Sequence, residues 1–363
     1  MVPPMSDPSS PGQAATQVAH AFTENRKPVG LRQVAAVAGV STATVSRVIN
    51  RPETVSEELR TRIVGVIREL GWVPSGAARA LATRRTNTIG AVFPALALGD
   101  FARAIDSLQD ELTARNYTLL LARSRYVAEQ EHRQVLKLVE RGVDGLVLVG
   151  KTRPPDLERF LQRQKVPFVN TFVFSRDGDA PCIGPDNHGA LFRMTEYLIG
   201  LGHRRFGMIA QSTVNNDRSH ARREGALAAL AGHGIAIQPS HSVEGQWSIA
   251  EGRQLFRRIT ATRPWPTAIV CGNSLLAVGA LLESQAMGIA VPGDLSIVGY
   301  DDIEIMRELP VAITTVRVAS DEVGRIAGKV VVDLVEGRHH GAGVELPSEI
   351  IVRQSSGPAP ADR

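Results

Sequence analysis

Seven short apolar runs that alternate with helical patterns place the strongest limit on how this chain can fold. In chain order they are IGAVFP, TLLLA, GLVLV, PFVN, FGMIA, AIVCG and LSIVG. Amphipathic stretches lie between them, such as FARAIDSLQDELTARN, in which Phe101, Ile105 and Leu108 share one face. Buried strands that alternate with helices indicate parallel, doubly wound α/β sheets. The sequence therefore predicts two such lobes, over residues 87–185 and 186–316, with ligand bound at the carboxyl ends of the strands.

Length and composition indicate a globular protein of several domains. A chain of 363 residues is too long for one comfortable core. Its apolar runs are too short to span a membrane, and its N-terminus lacks the basic start and apolar core of a secretory signal. Residues 1–26, rich in Pro, Ser, Gln and Ala, have the composition of a disordered tail. Cys182 and Cys271 lack metal-ligand spacing, so we expect reduced core thiols in a cytosolic protein.

Positive charge is concentrated near the N-terminus. The whole chain carries a net charge of +4, residues 24–85 carry +6, and the residues after Arg85 carry −1. This asymmetry favours a polyanionic partner for the N-terminal unit and a neutral partner for the remainder. A basic face that is merely solvated is the alternative.

Residues 31–50, LRQVAAVAGVSTATVSRVIN, contain two short amphipathic helical patterns. Their apolar faces carry Leu31, Val34, Ala35 and Ala38 in the first, and Val45, Val48 and Ile49 in the second. Gly39 can form a left-handed turn between them, and Ser41 is a natural N-cap for the second. A third apolar stripe starts near Ser56 and ends at Gly71. Three short helices with a tight turn between the first two predict a helix-turn-helix domain over residues 27–74.

Burial of those apolar faces leaves a polar surface without acidic residues. Its members are Thr42, Ala43, Ser46, Arg47 and Asn50. In a helix-turn-helix the second helix lies in the major groove, with its first residues at the base edges. Small side chains allow close approach, Arg47 can reach a guanine or a phosphate, and Asn50 can reach an adenine or the backbone. A plain three-helix bundle with a polar face is the alternative.

The segment SGAARALATRR after Pro74 is a candidate hinge. It is too short to be a stable helix alone, and it places Leu81 among small residues beside arginines. An exposed apolar wedge next to arginines suits insertion into the minor groove. By composition alone, the segment also fits an ordinary inter-domain linker.

The stretches KPVGLRQVAAVAGVSTATVSRVIN and VSEELRTRIVGVIRELGWVPSGAARALATRRTNTIG resemble the LacI-type family of bacterial transcription regulators. The resemblance extends over residues 27–355. It implies base reading by Thr42, Ala43 and Arg47, and a hinge within residues 75–86 whose Leu81 enters the minor groove. The full DNA-contacting set that it implies is Leu31, Ser41, Thr42, Ala43, Thr44, Ser46, Arg47, Asn50, Ala78 and Leu81.

The same resemblance implies a two-lobed, periplasmic-binding-protein-like core that binds an effector and dimerises. This core would span residues 87–355, followed by a tail at 356–363. Its N-lobe would comprise residues 87–185 and 317–345, and its C-lobe residues 186–316 and 346–355.

Polar residues after the predicted strands are candidates for the ligand site. Arg222 follows FGMIA, Asn273 directly follows AIVCG, and Asp301 follows LSIVGY. A guanidinium, an amide and a carboxylate suit a small ligand rich in hydroxyls. Each alone is more often a loop residue, and Asn273 also suits the cap of the next helix. The resemblance places all three in an effector site, with Asp186 nearby and Phe101 as a floor for an apolar sugar face.

An enzyme and a free sugar receptor are the alternative classes. The chain has no Walker sequence, no HExxH and no GxGxxG after its first strand. His203 and the His339–His340 pair are interpreted as surface or turn residues. A free receptor would carry a secretory signal and no basic head.

We therefore predict a cytoplasmic, nucleoid-associated repressor without enzymatic activity, cofactor, metal or membrane contact. Its affinity for palindromic double-stranded operator DNA would respond to a sugar or sugar acid. The C-terminus lacks apolar heptads, which favours a homodimer over a coiled-coil tetramer.

Overall fold

The computed structural model describes residues 29–74, 76, 80, 85–96, 99–178, 180–338 and 343–361. They belong to two compact units, one ending at Arg84 and one beginning at Arg85. The predicted tail at 1–26 and the hinge residues Ala78 and Leu81 lie outside the described residues, as does the His339–His340 pair. Within those ranges, no helix combines the length and the apolar character that a membrane crossing requires.

The first unit is a small bundle of three helices. They are α1 (Leu31–Ala38), α2 (Thr42–Asn50) and α3 (Glu57–Glu69), with a 3-10 turn at Pro52–Thr54. Gly39 ends α1 in the left-handed region with φ of 64°. The Ser41 hydroxyl caps α2 by accepting a hydrogen bond from the Thr44 amide at 3.1 Å. Both local predictions are confirmed, and the helices close over a core of Val34, Ala35, Ala38, Val45, Val48 and Ile63.

The N-lobe of the second unit is built on a parallel six-stranded sheet. Its strands are β1 (Thr88–Phe93), β2 (Thr118–Arg123), β3 (Gly145–Val149), β4 (Phe168–Thr171), β5 (Cys182–Gly184) and β11 (Val344–Glu345). Its helices are α4 (Gly99–Ala114), α5 (Ala128–Glu140), α6 (Pro155–Gln164) and α12 (Ser320–Val335). The strand order is β11-β5-β4-β3-β1-β2.

The C-lobe is built on a second six-stranded sheet. Its strands are β6 (Phe206–Gln211), β7 (Ser242–Gly245), β8 (Ala268–Cys271), β9 (Ser296–Tyr300), β10 (Thr314–Val318) and β12 (Ser348–Ile351). Its helices are α7 (Asn187–Gly200), α8 (Asp217–Gly232), α9 (Ile249–Thr260), α10 (Ser274–Ala286) and α11 (Ile305–Glu308), with a 3-10 turn at Pro239–His241. The order is β12-β10-β9-β8-β6-β7, parallel except for the β10–β12 pair. The predicted α/β architecture with two parallel-sheet lobes is confirmed.

The chain passes between the lobes along three connections. It leaves the N-lobe after β5, returns between β10 and α12, and leaves again between β11 and β12. These three connections are the covalent links between the lobes. A change in lobe orientation must therefore be absorbed by backbone rotations at these connections.

All seven apolar runs form strands, but β2 is not a buried strand. It is the terminal strand of its sheet and pairs only with β1, and its Leu120 and Leu121 are 37% and 42% exposed. The prediction of burial is wrong here because apolar composition does not distinguish a central strand from an edge strand. The strands outside the predicted runs, β5, β7, β10, β11 and β12, are short or contain polar residues.

His203 and the C-terminal segment differ from the predictions. His203 is completely buried, with Nδ1 3.0 Å from Thr267 Oγ1 and Nε2 3.0 Å from the Gly357 carbonyl oxygen. Burial lowers the pKa of His203. The segment from residue 356 is not a tail, since the Gly357 amide donates to Ser296 Oγ at 3.1 Å and the Ala359 amide donates to the Leu201 carbonyl at 2.9 Å. Both predictions are wrong because local polarity does not reveal that core groups satisfy these donors and acceptors.

Candidate functional site

The described part of the first unit displays most of the predicted DNA-contacting set around α2. Ser41, Thr42, Ala43, Arg47 and Asn50 are exposed, whereas Leu31, Thr44 and Ser46 are half-buried. Helix α2 carries no acidic residue. Among the described residues of this unit the ion pair is Arg60 with Glu57 on α3, so Arg47 keeps an unpaired positive charge.

Hydrogen bonds within α2 divide its polar face into two groups. The Ser41 and Thr44 hydroxyls lie 2.9 Å apart, and Asn50 Nδ2 donates to Ser46 Oγ at 3.1 Å. These contacts hold the ends of the helix. The exposed side chains of Thr42, Ala43 and Arg47 form the open part of the surface, which suits close approach to a groove edge.

A cavity lies between the two lobes, beside the carboxyl ends of the strands. It contains about 630 Å³ of space, part of it open to solvent. Four of the five predicted effector residues line it, namely Phe101, Arg222, Asn273 and Asp301. A cavity of this size with a few convergent polar groups is typical of small-molecule sites.

Two of the predicted residues serve as helix caps. Asp186 does not line the cavity, because its Oδ1 accepts a hydrogen bond from the Gly189 amide at 3.0 Å and caps α7. Asn273 both caps a helix and lines the cavity. Its Oδ1 caps α10 by accepting a hydrogen bond from the Leu276 amide at 3.0 Å, and its side chain faces the cavity. The alternatives of cap and ligand-facing residue are therefore combined at Asn273.

Several residues that line the cavity were not among the predicted site residues. They include Asp100, Tyr126, Phe172, Asn187, Gln211 and Trp247. Asp100 had a detectable signal, because it lies in the loop-to-helix junction after β1, at the carboxyl edge of the sheet. Trp247 follows β7, a strand that the apolar runs did not include.

Aromatic rings form one wall of the cavity. The Phe101 ring centroid lies 4.9 Å from that of Phe172 and 6.0 Å from that of Trp247, both in edge-to-face geometry. Tyr126 approaches Trp247 in the same way at 6.0 Å. These pairs connect rings of the N-lobe with Trp247 of the C-lobe, so the wall spans the cleft.

Arg222 is the most strongly positioned cation of the site. Its side chain is 8% exposed, Nη1 donates to Asn187 Oδ1 at 2.9 Å, and the guanidinium lies 4.4 Å from the Tyr300 ring centroid. The Tyr300 hydroxyl donates to the same Asn187 oxygen at 3.1 Å. Arg222 Nε is buried without a partner among the described residues. A fixed guanidinium with a spare donor can bind a hydroxyl or a carboxylate of a ligand.

Asp301 and Asp100 form a carboxyl pair that lines the same cavity as Arg222. Burial, followed by the neighbouring Asp100 carboxylate, raises the pKa of Asp301 to about 8. Burial also raises the pKa of Asp100, against the lowering effects of Arg103, of Ser320 and of its hydrogen bond with Asp301. At neutral pH the two carboxyl groups therefore share a proton.

The raised pKa of Asp301 predicts a pH-dependent stability. Between about pH 4 and pH 8 the unfolded chain ionises this group while the folded chain keeps it protonated, so stability falls as pH rises. We expect Asp301→Asn to remove this slope, so that the variant gains stability relative to wild type from pH 5 to pH 8. Urea unfolding at several pH values measures the difference. A constant difference over that interval would contradict the shared proton.

Comparisons with known proteins agree with this two-unit organisation. The family model described as "Bacterial regulatory proteins, lacI family" matches residues 30–75, and that of a periplasmic binding protein-like domain matches residues 195–356. The HTH-type transcriptional repressor CytR of Escherichia coli (strain K12) is 30% identical over 327 residues, which are 90% of this chain and 96% of that relative.

Two solved structures are similar over almost the same length. The lac repressor dimer bound to operator and the anti-inducer ONPF has a TM-score of 0.81 and 26% identity, covering 91% of this chain and 100% of that one. The complex of the transcriptional regulator CelR with cellobiose has a TM-score of 0.67 and 28% identity, covering 90% and 100%. The chain belongs to the LacI family of bacterial regulatory proteins, and it is a transcriptional regulator with a helix-turn-helix domain and an effector-binding core rather than an enzyme.

Proposed function

We propose that the protein represses transcription by binding a palindromic operator as a homodimer, and that a sugar or sugar acid in the interlobe cavity changes its operator affinity. One observation carries the proposal, which is that the same chain has both a DNA-facing surface and a ligand cavity. Helix α2 presents an exposed face without acidic residues, and the interlobe cavity is lined in part by polar side chains. We further propose that it acts in the cytoplasm, at the nucleoid.

The proposed DNA contacts follow from the exposed face of α2. Thr42, Ala43 and Arg47 read base edges, while Leu31, Ser41, Thr44, Ser46 and Asn50 position the helix. Ala78 and Leu81, which lie outside the described residues, enter the minor groove at the operator centre. The lac repressor dimer bound to operator is one solved precedent for such contacts.

The exposed edge strand β2 supports a homodimer. Leu120 and Leu121 leave apolar surface on a strand with one edge unpaired among the described residues, and an exposed apolar edge is a template for pairing with another chain. A second copy of the chain would cover this edge and would bring two heads to the two halves of a palindrome.

The effector acts by shifting the balance between two arrangements of the lobes. Its binding energy must differ between the arrangements, which requires contacts from both lobes. Phe101 from the N-lobe and Arg222, Asn273 and Asp301 from the C-lobe meet this requirement. The related CelR structure holds cellobiose, which supports a sugar as the ligand class.

Arg47→Ala tests the DNA-binding part of the proposal. After selection of a binding site from random duplexes by the full chain, we expect the variant to bind that site more weakly by about 1–3 kcal/mol, because a base-edge or phosphate contact is lost. Fluorescence anisotropy at one salt concentration measures the affinities. Arg62→Ala, an exposed arginine on α3, is the control and should stay near wild type. Equal affinities of wild type and Arg47→Ala would remove Arg47 from the interface.

A thermal-shift screen of sugars and sugar acids tests the effector part. A true ligand stabilises the folded core by about 2.7 kcal/mol at one hundred times its dissociation constant. The same ligand should then change operator affinity of the full chain. A ligand that stabilises the core without altering operator affinity would contradict the proposed control.

A further inference from the structure

The Asp100–Asp301 pair has a feature that a sugar hydroxyl does not explain. Asp100 lies in the first turn of α4 in the N-lobe, whereas Asp301 follows β9 in the C-lobe. The Asp100 side chain is 7% exposed, and its Oδ1 accepts a hydrogen bond from Ser320 Oγ at 3.0 Å and is paired with Arg103. Its Oδ2 is buried without a donor among the described residues, and Asp100 and Asp301 both line the cavity. The site therefore holds an unused anionic acceptor and a second carboxyl group on the same cavity.

The nearby arginines compensate the charge of this pair only in part. Arg103 bonds the Oδ1 side of Asp100 and is 40% exposed, so solvent weakens its field. Arg222 is held over the Tyr300 ring and donates to Asn187. With both arginines in place, the pKa of Asp301 is still raised to about 8. The pair consequently retains a proton that another positive group can replace.

The surroundings of the pair favour an organic cation over a bare ion. Phe101 follows Asp100 directly, and its ring packs edge-to-face with Trp247. Aromatic walls next to carboxylates stabilise a desolvated ammonium group through its contacts with the ring faces. Arg222 Nε and Trp247 Nε1, of residues that line the same cavity, are buried donors without partners among the described residues. The cavity thus offers anionic acceptors together with free donors.

We propose that the effector is an amino sugar whose protonated amine lies between Asp100 and Asp301. This inference rests on the proposed function, because it names the ligand of the same cavity. Hydroxyl oxygens of the sugar accept hydrogen bonds from Arg222 and Trp247. The ammonium group donates to both carboxylates, and the proton that they shared leaves to solvent, so one positive charge replaces another.

The position of the pair also connects ligand binding with lobe arrangement. Asp100 and Asp301 belong to different lobes, so ionisation of both without a cation would repel the two sides of the cleft. An ammonium group between them attracts both sides. An amine therefore binds best to the arrangement in which the carboxyl groups meet, which is the differential affinity that an effector requires.

Matched pairs of ligands test the proposal on the full chain. Glucosamine, galactosamine and mannosamine are each compared with the parent sugar and the N-acetyl derivative at pH 7, by thermal shift and by calorimetry. We expect at least one amine to bind 10-fold or more tightly than both of its uncharged counterparts. Calorimetry in buffers of different ionisation enthalpy should show release of a proton, up to one per bound amine.

Asp100→Asn supplies the residue-level test. It removes one charge without changing the shape of the side chain, and it should weaken binding of the amine at least 10-fold. Asp106→Asn, an exposed carboxylate on the same helix, is the matched control and should bind as wild type. The buffer experiment on wild-type protein needs no variant, so it decides the question even if Asp100→Asn folds poorly.

The outcomes separate this inference from the proposed function. The inference is overturned if a parent sugar or sugar acid binds as tightly as any amine. If Arg222→Lys weakens the binding of that sugar, the proposed effector site still stands. Absence of binding by all three amines overturns the inference as well. Binding of an amine without proton release would show that the carboxyl pair is not its partner.

Discussion

Arg222→Lys is expected to abolish the effector response of the protein. The guanidinium donates to Asn187 at 2.9 Å, lies over the Tyr300 ring at 4.4 Å and keeps a free buried Nε for the ligand. An ammonium group cannot reproduce this planar arrangement of donors. Loss of a charged hydrogen bond of about 1.5–3 kcal/mol corresponds to effector binding weakened by about 10- to 100-fold.

Calorimetry with a ligand from the screen measures this effect. Arg223→Lys is the matched control, because Arg223 is the next residue of α8 but pairs with Glu224 and is 32% exposed. We expect the control to keep wild-type affinity, and operator binding by the head to persist in both variants. Unchanged ligand affinity in Arg222→Lys would assign this arginine a structural role only.

Asp302→Ala is expected to cause the largest loss of stability. Asp302 is completely buried, with its carboxylate 2.9 Å from Arg353 Nη2 and 3.0 Å from Arg317 Nε. Arg307 lies 3.4 Å away. Removal of one partner of a buried ion pair leaves uncompensated charge and typically costs about 3–5 kcal/mol.

The pH dependence of this loss has a defined sign. Burial alone would raise the pKa of Asp302, but hydrogen bonds from Arg353 and Arg317 outweigh it and hold the pKa below its usual range. The stabilisation by Asp302 is therefore complete above the pKa that this carboxyl has in the unfolded chain. It is lost as the pH falls through the lower pKa that Asp302 has in the folded protein. Urea unfolding should show a large difference in the free energy of unfolding between wild type and Asp302→Ala at pH 7. This difference should become smaller at acid pH. Asp110→Ala, an exposed carboxylate on α4, is the control, and an equally small effect of both substitutions would contradict this account.

Neighbouring residues show how far sequence patterns could go. Asp301 and Asp302 follow the same strand, yet the first faces the cavity and the second pairs with Arg307, five residues on, and with the more distant Arg317 and Arg353. The position directly after a strand makes both carboxylates candidates for the ligand site, but it does not show which residues they contact. The partners are determined by which strands and helices adjoin β9, which only the assembled sheet decides.

Elements whose signals are local could be predicted from the sequence. The Gly39 turn, the Ser41 cap and the seven apolar strands follow from backbone preference and burial patterns within a few residues. Arg222, Asn273 and Asp301 were predicted because the carboxyl ends of parallel strands meet at one edge of a sheet, and Phe101 because of the family resemblance; all four line the cavity.

Features that depend on contacts between distant segments became visible in the folded lobes. The tertiary structure placed Asp100 of one lobe and Asp301 of the other on one cavity, buried His203 under the C-terminal segment and left β2 at an edge. Each of these outcomes depends on a partner more than 60 residues away or, for β2, on which neighbouring surface is left open. A local pattern carries no information about that partner, because burial and pairing are properties of the assembled lobes.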